Sequence, residues 1–252
     1  MVNGSPEVRV LADRHELSRA AAEEFVRVAD ASTREWGCCH VALSGGATPK
    51  DLYAMLAGDA FRRRIAWDKL QVFWGDERHV PPDHPESNYR MARESLLSHV
   101  PIPPENIHRV PAELADAEQA AAAYERTLRT VFQLSPGETP QFDLALLGLG
   151  PDGHTASLFP GGSSLTETDR LVAAPWVEKL GTHRITLTPR VLNHARLVVF
   201  VVSGEEKAIV LGQVLQGPYE PKRLPAQLVR PDRTAVLWLV DRDAARELPA
   251  HE

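Results

Sequence analysis

The chain has 252 residues, 43% of them hydrophobic and 25% charged. That is enough to bury roughly 70–75% of the unfolded surface in one large core, without the compositional bias of a disordered chain. Its 28 basic and 34 acidic residues leave a net charge of −6, which argues against nucleic acid as a partner, and an anionic ligand would need locally placed positive groups.

Met1 to Ser18 is polar and charged, with no apolar core of a secretory leader, and Val8-Arg9-Val10-Leu11 reads as a first strand. Residues 15–36 place Leu17, Ala21, Phe25, Val28, Ala29 and Trp36 at helical spacing. Cys38 and Cys39 are neighbours, hence poor disulfide partners, and two thiols in a chain this long fit a reducing, cytoplasmic compartment. They are expected to pack at a helix-to-strand junction. His40-Val41-Ala42-Leu43 reads as a buried strand, broken by Ser44-Gly45-Gly46. Thr48 as N-cap, Pro49 at the first helical position and Asp51 behind it predict the start of a helix.

Leu70 to Trp74 is the next strand, expected to end in a turn at Gly75-Asp76-Glu77-Arg78. A Pro-rich loop at 80–85 precedes a helix from about Asn88 to Val100, capped by Ser87. A second, Ala-rich helix spans about Asp116 to Phe132. Phe142 to Leu147 is strand-like and runs into Gly148-Leu149-Gly150-Pro151-Asp152-Gly153-His154. Leu171 to Ala174 and Arg184 to Thr188 read as strands around a Gly181 turn, Leu197 to Val202 as a core strand and Glu205 to Leu215 as a helix. Ala235 to Val240 is the last strand. The longest apolar runs, about six residues, fall far short of the ~18 a membrane span needs. Strands alternating with helices, with no linker between them, predict a single α/β domain whose mostly parallel sheet is covered on both faces.

In open α/β sheets, ligands bind beyond the carboxyl ends of the strands. Four strands here end in glycine-containing polar turns, at 44–46, 75–78, 148–154 and 203–204 with Lys207 nearby, and parallel strands would gather all four on one edge. Ser44-Gly45-Gly46 suits a phosphate, because glycines allow close approach and the next helix N-terminus offers free N–H groups. A tight turn needing glycine for geometry alone remains equally open on that segment. Gly148 to Gly153 matches G-x-G-x-x-G, but it follows a late strand and lacks a strand-end acidic partner for a ribose.

His154, in a glycine-dense turn, is placed to take a proton from water near neutral pH, with Asp152 to orient it. A surface histidine in a polar loop is the plainer reading, outweighed by the three neighbouring turns. In Asp76-Glu77-Arg78 the arginine suits an anion and a carboxylate suits hydroxyls, although such a triplet is more often a solvated charge cluster. His79 and His84 flank the Pro-rich loop without a third ligand, and H-E-x-x-H, a Cys/His cluster and G-x-S-x-G are all missing. Neither a metal nor an organic cofactor is expected.

Together these residues resemble the 6-phosphogluconolactonases. The resemblance rests on Leu43-Ser44-Gly45-Gly46-Ala47-Thr48-Pro49, Trp74-Gly75-Asp76-Glu77-Arg78, Ser87-Asn88-Tyr89, the run from Gly148 to Gly161, and Arg184-Ile185-Thr186-Leu187-Thr188-Pro189. It covers about residues 8–241, and Asp152-Gly153-His154-Thr155-Ala156-Ser157-Leu158-Phe159-Pro160 is its most specific part. It implies a three-layer, Rossmann-like α/β/α fold and hydrolysis of a phosphorylated sugar lactone, with His154 as general base and Asp152 behind it. Ser44, Gly45, Gly46, Arg184 and Lys207 would take the phosphate, and Asp76 and Arg78 other parts of the substrate. It also implies a monomer or weak homodimer with no nucleic-acid or membrane partner. A sister activity, deamination of glucosamine 6-phosphate, is the rival; its Asp-Glu-Tyr is Asp76-Glu77-Arg78 here, and the glutamate that follows its Asp-Gly-His is missing. A non-catalytic sugar-phosphate sensor is a third reading, disfavoured because only 7 residues precede the first strand.

Overall fold

The computed structural model describes residues 7–231 and 235–249; Met1–Pro6, part of the stretch read as leaderless, lies outside them. In chain order, β1 (Glu7–Leu11) leads into α1 (Arg14–Trp36), whose N-cap Asp13 accepts from the Glu16 N–H. Then come β2 (Cys39–Leu43), α2 (Ala47–Ala57), the single turn α3 (Asp59–Arg62), β3 (Leu70–Trp74) and the short β4 (Asp76–Arg78). α4 (Asn88–Ser95) and α5 (Ala117–Val131) precede β5 (Leu144–Leu147). β6 (Val172–Ala173), β7 (Trp176–Val177), β8 (Thr182–Leu187) and α6 (Pro189–Leu192) follow. β9 (Leu197–Val202), α7 (Ala208–Gln216), β10 (Ala235–Asp241) and α8 (Arg242–Ala245) come last.

Six strands form one parallel sheet in the order β1-β10-β9-β5-β2-β3. A parallel sheet must be covered on both faces, and its strands read accordingly: every residue of β9 after Leu197 is buried. Phe200 and Trp238, cross-strand partners on β9 and β10, stack at 3.8 Å between ring centroids. α1 and α2 pack on each other and on β9, and α1 also covers β10. Cys39 is buried at the start of β2, right after the left-handed Gly37 that ends α1, as the junction reading expected.

Beside this Rossmann-like sheet lies an antiparallel one, β4-β8-β6, with β7 paired to β8. The expected turn at 75–78 is therefore mostly strand. Only Gly75 turns: its N–H donates to Leu43 O at 2.8 Å and its carbonyl accepts from Leu187 N at 2.8 Å, so the chain leaves one sheet already paired to the other. Thr48 is not a cap either. α2 starts at Ala47 behind Gly46 (φ +105°) with no side-chain cap, and Asp51 pairs with Arg14 instead. α4 stops at Ser95 rather than Val100: Leu96 leaves the helical region (φ −137°, ψ −64°), Leu97–His99 tighten into a single 3₁₀ turn, and Val100, ahead of Pro101, is extended (φ −127°, ψ 152°).

At the carboxyl ends of β2 and β3 a buried tyrosine closes the backbone. Tyr53 Oη accepts from Ser44 N at 3.0 Å and donates to Ser44 O at 2.8 Å; Tyr124 Oη does the same for Trp74, at 2.8 and 2.9 Å. Burial pushes both phenols above the usual tyrosine range. Tyr53→Phe strands both polar groups of Ser44, so its urea midpoint should fall by the equivalent of about 2 kcal/mol at unchanged slope. The exposed Tyr219→Phe should stay within about 0.5 kcal/mol of the parent.

Candidate active site

β9, β5, β2 and β3 are neighbours in the sheet, so the turns that follow them meet along its edge. They line a cleft of about 380 Å³. Ser44, Gly45 and Gly46 reach it after β2, His154 after β5 and Lys207 after β9; Asp76 and Arg78 reach it from β4, and Arg184 from β8. Of the residues expected at the site, only Asp152 does not line the cleft; it stands behind His154.

One end of the cleft suits an anion. With no side chain capping α2, its first N–H groups stay free behind Gly46. Ser44 Oγ is buried with no hydrogen-bond partner among the described residues. Gly45 is required sterically, since a Cβ there would lie 1.8 Å from Asn88 Oδ1. Lys207 and Arg184 form no ion pair among the described residues. Arg184 faces Arg78 across the β4–β8 pair; burial, and then the Arg78 charge, pull its guanidinium below the usual arginine range, opposed by Asp76, Glu86 and Glu77. Like charges on directly opposed strand positions are unfavourable, and an anion between them removes that cost.

The Asp76-Glu77-Arg78 triplet divides by strand alternation. Asp76 and Arg78 face the cleft, whereas Glu77 points the other way and is buried. Its carboxylate accepts from Arg78 N, Asn88 N and Tyr89 N at 2.7–2.8 Å and from Ser87 Oγ at 3.1 Å. Burial pushes this carboxyl above its usual range, against the pull of the backbone N–H groups. Glu77 thus pins the start of α4, from which Asn88 Nδ2 donates to Asp76 O at 2.9 Å. Asp76 Oδ2 accepts in turn from Ser157 Oγ at 2.7 Å.

At the other end, His154 Nδ1 lies 2.5 Å from Asp152 Oδ1. An ionised carboxylate only accepts, so Nδ1 carries the proton and Nε2, which has no partner among the described residues, presents a lone pair to the cleft. Asp152 Oδ2 is held by Lys179. Burial pushes the Asp152 carboxyl up, but the hydrogen bonds from His154 and Lys179 outweigh it and hold the group well below the usual carboxylate range. The glycines of G-x-G-x-x-G serve this histidine turn: Gly150 N donates to His154 O at 2.8 Å, and Gly153 sits at φ +81°.

Lys179 was not singled out from the sequence, and Asn88 and Ser157 stood there only within the family motifs; Lys179 lines the cleft and pairs with Asp152. Lys179 sits in a single turn between β7 and Gly181, and only the pairing of β7 with β8 brings that turn over the cleft. No sequence pattern announces it. Among the described residues no three His, Cys, Asp or Glu side chains converge as a metal site, and no helix is long and apolar enough to cross a membrane.

Residues 12–238 match the model of a family described as glucosamine-6-phosphate isomerases/6-phosphogluconolactonase. A protein of Synechocystis sp. named 6-phosphogluconolactonase is 45% identical over 245 residues, covering 97% of this chain and 99% of that one. One of Nostoc sp. with the same name is 42% identical, covering 96% and 98%. The solved structure of 6-phosphogluconolactonase from Trypanosoma cruzi superposes with a TM-score of 0.85 at 34% identity, covering 97% of each chain.

Inorganic phosphate should seat at the Gly45–Gly46 end. At ten times its dissociation constant it should stabilise the protein by about 1.4 kcal/mol, read as a rise in melting temperature. Gly45→Ala, which drives Asn88 out of place, and Arg184→Ala should each abolish most of that rise; an undiminished rise in both would remove the anion site from this end.

Proposed function

The chain belongs to the glucosamine-6-phosphate isomerase/6-phosphogluconolactonase family, and from that premise we infer that it hydrolyses 6-phospho-D-glucono-1,5-lactone to 6-phospho-D-gluconate, in the oxidative branch of the pentose phosphate pathway. Its relatives named for this reaction cover nearly the whole chain. The observation that carries the mechanism is the pairing of His154 Nδ1 with Asp152, which leaves Nε2 bare in a cleft whose far end is built for an anion.

Nε2 of His154 takes a proton from a water as its oxygen bonds to C1 of the lactone, and the carbonyl oxygen becomes an oxyanion. Collapse of that intermediate breaks the bond between C1 and the ring oxygen. The imidazolium returns its proton to that oxygen, so His154 ends as it began, and the new carboxylic acid ionises and releases one proton. Asp152 keeps the imidazole in the Nδ1–H tautomer and stabilises the imidazolium. Lys179, held on Asp152, places positive charge beside the developing oxyanion. The phosphate binds far from C1, on the Gly45–Gly46 turn with Arg184 and Lys207, and supplies orientation. Asp76 and Arg78 contact the sugar between the two ends. A cytoplasmic protein, monomeric or weakly dimeric, fits the same reading, with Cys38 and Cys39 both free thiols.

Acid release from freshly made 6-phosphogluconolactone should exceed the spontaneous rate, and the unphosphorylated lactone should be a much poorer substrate. Glucosamine 6-phosphate should yield no ammonia; its release would favour the isomerase side of the family. His154→Ala should lose about 10²–10⁴-fold in kcat, and near-parental kcat would overturn the general-base role. Arg184→Ala and Lys207→Ala should chiefly raise KM. Since the hydrogen bonds from His154 and Lys179 keep Asp152 ionised through the usual carboxylate range, protonation of Asp152 should cause no loss of activity as pH falls through that range, and Asp152→Asn should lower kcat.

A further inference from the structure

A hydrogen bond fixes a point on an imidazole, not its plane. The bond from Nδ1 to Asp152 and the Cβ–Cγ tether place the His154 ring, but its side-chain torsions can still rock it, and Nε2 with it. Two contacts remove that freedom. Gly150 lies against the Nδ1–Cε1 edge, so closely that a Cβ on it would stand 2.0 Å from Nδ1 and 2.1 Å from Cε1. The Phe159 ring lies 4.3 Å from the imidazole centroid, inclined by 32°. Phe159 is itself buried, lines the cleft, and is held by the turn in which Gly162 N donates to Phe159 O at 3.0 Å. The same ring seats a second member of the site: Lys179 Nζ lies 4.7 Å from its centroid, a cation over a π face. Both groups that bond the Asp152 carboxylate therefore rest on Phe159.

We propose that Phe159 is a positioning residue of this hydrolase, an aromatic platform that sets the plane of the His154 imidazole against Gly150 and holds the Lys179 ammonium beside it. The proposal rests on the reading of His154 as general base. A short branched or thioether side chain fills the space but has no π face for the cation and no flat surface for the imidazole. The base then samples orientations in which Nε2 misses the attacking water, and misplacement on the scale of 1 Å costs up to about 100-fold. The residues read as phosphate contacts, Gly45, Gly46, Arg184 and Lys207, are not those that rest on Phe159, so binding is spared.

The test compares Phe159→Leu and Phe159→Met with Phe159→Tyr on the full chain, with 6-phosphogluconolactone as substrate. Leu and Met should lower kcat at least tenfold with KM changed less than twofold, while Tyr, which keeps the ring, should stay within about threefold of the parent. Gly150→Ala, pressing on the imidazole from the other side, should lower kcat likewise. Ring ¹⁵N spectra, which do not depend on turnover, should show His154 as the Nδ1–H tautomer in the parent and in every Phe159 variant, because Asp152 still holds Nδ1, so that a lost kcat reads the ring's orientation and not its tautomer. Parental kcat in Phe159→Leu would overturn the proposal, as would equal losses in the Tyr and Leu variants or a change of tautomer in Phe159→Leu that accounts for the loss. His154→Ala, run alongside, separates the two readings: if it is inactive while Phe159→Leu is unaffected, the platform falls and the base stands, whereas an active His154→Ala removes the base and the platform together.

Discussion

A parallel strand gives up its hydrogen-bonding partners where it ends, and the cleft exists because buried side chains take over those partners from beneath. Tyr53 closes the end of β2 and Tyr124 the end of β3, each bonding both the N–H and the C=O of one residue. Asp241, at the end of β10, does comparable work for the turn after β9: it accepts from Ser203 Oγ, from Gly204 N and from Ala244 N. Unpaired backbone groups at a buried edge would otherwise cost enough to force these turns back onto the sheet. With the edge satisfied from below, the turns project upward, and their residues, Ser44 to Gly46 among them, line the cleft.

The same economy of partners resolves the tension between a net charge of −6 and an anionic ligand. The buried and half-buried carboxylates at the cleft are committed: Asp152 to His154 and Lys179, Asp76 to Ser157 and Asn88, Glu77 to four donors of β4 and the start of α4. Arg184 and Lys207 are not committed to any of them. Local potential follows from which charges are already engaged, not from the sum over the chain.

How far this was legible depends on the kind of signal. The strands at 40–43, 70–74 and 197–202 and the helix over 15–36 announce themselves through apolar runs or helical period, and the four glycine turns follow from where the runs stop. Ser44, Gly45, Gly46, Arg78, His154 and Lys207 fall on one edge by that reasoning, whereas Arg184 enters only through the family resemblance. Boundaries governed by short-range competition were not legible. Thr48 looks like a cap, but Gly46 turns the chain two residues too early for it, and Asp76-Glu77-Arg78 looks like a turn because three charged residues carry no strand signature. Lys179 was invisible for a different reason. Its role depends on the pairing of β7 with β8 and on a carboxylate 27 positions away, and nothing local records either.

That second, antiparallel sheet divides the labour at the site. The parallel sheet alone provides what its turns can provide: glycine approach, free N–H groups and the histidine. The cations come largely from outside it, with Arg78 on β4, Arg184 on β8 and Lys179 on the hairpin that β7 and β8 form. Register fixes them together. Asp76 pairs with Thr186 and Arg78 with Arg184, while between them Glu77 and Ile185 face the core. A slip of one residue would exchange the two faces, burying an arginine and turning Glu77 into the cleft. The four hydrogen bonds that Glu77 accepts on the core side, and the burial of Ile185 beside it, resist that slip. A residue that never meets the ligand thus decides which charges do.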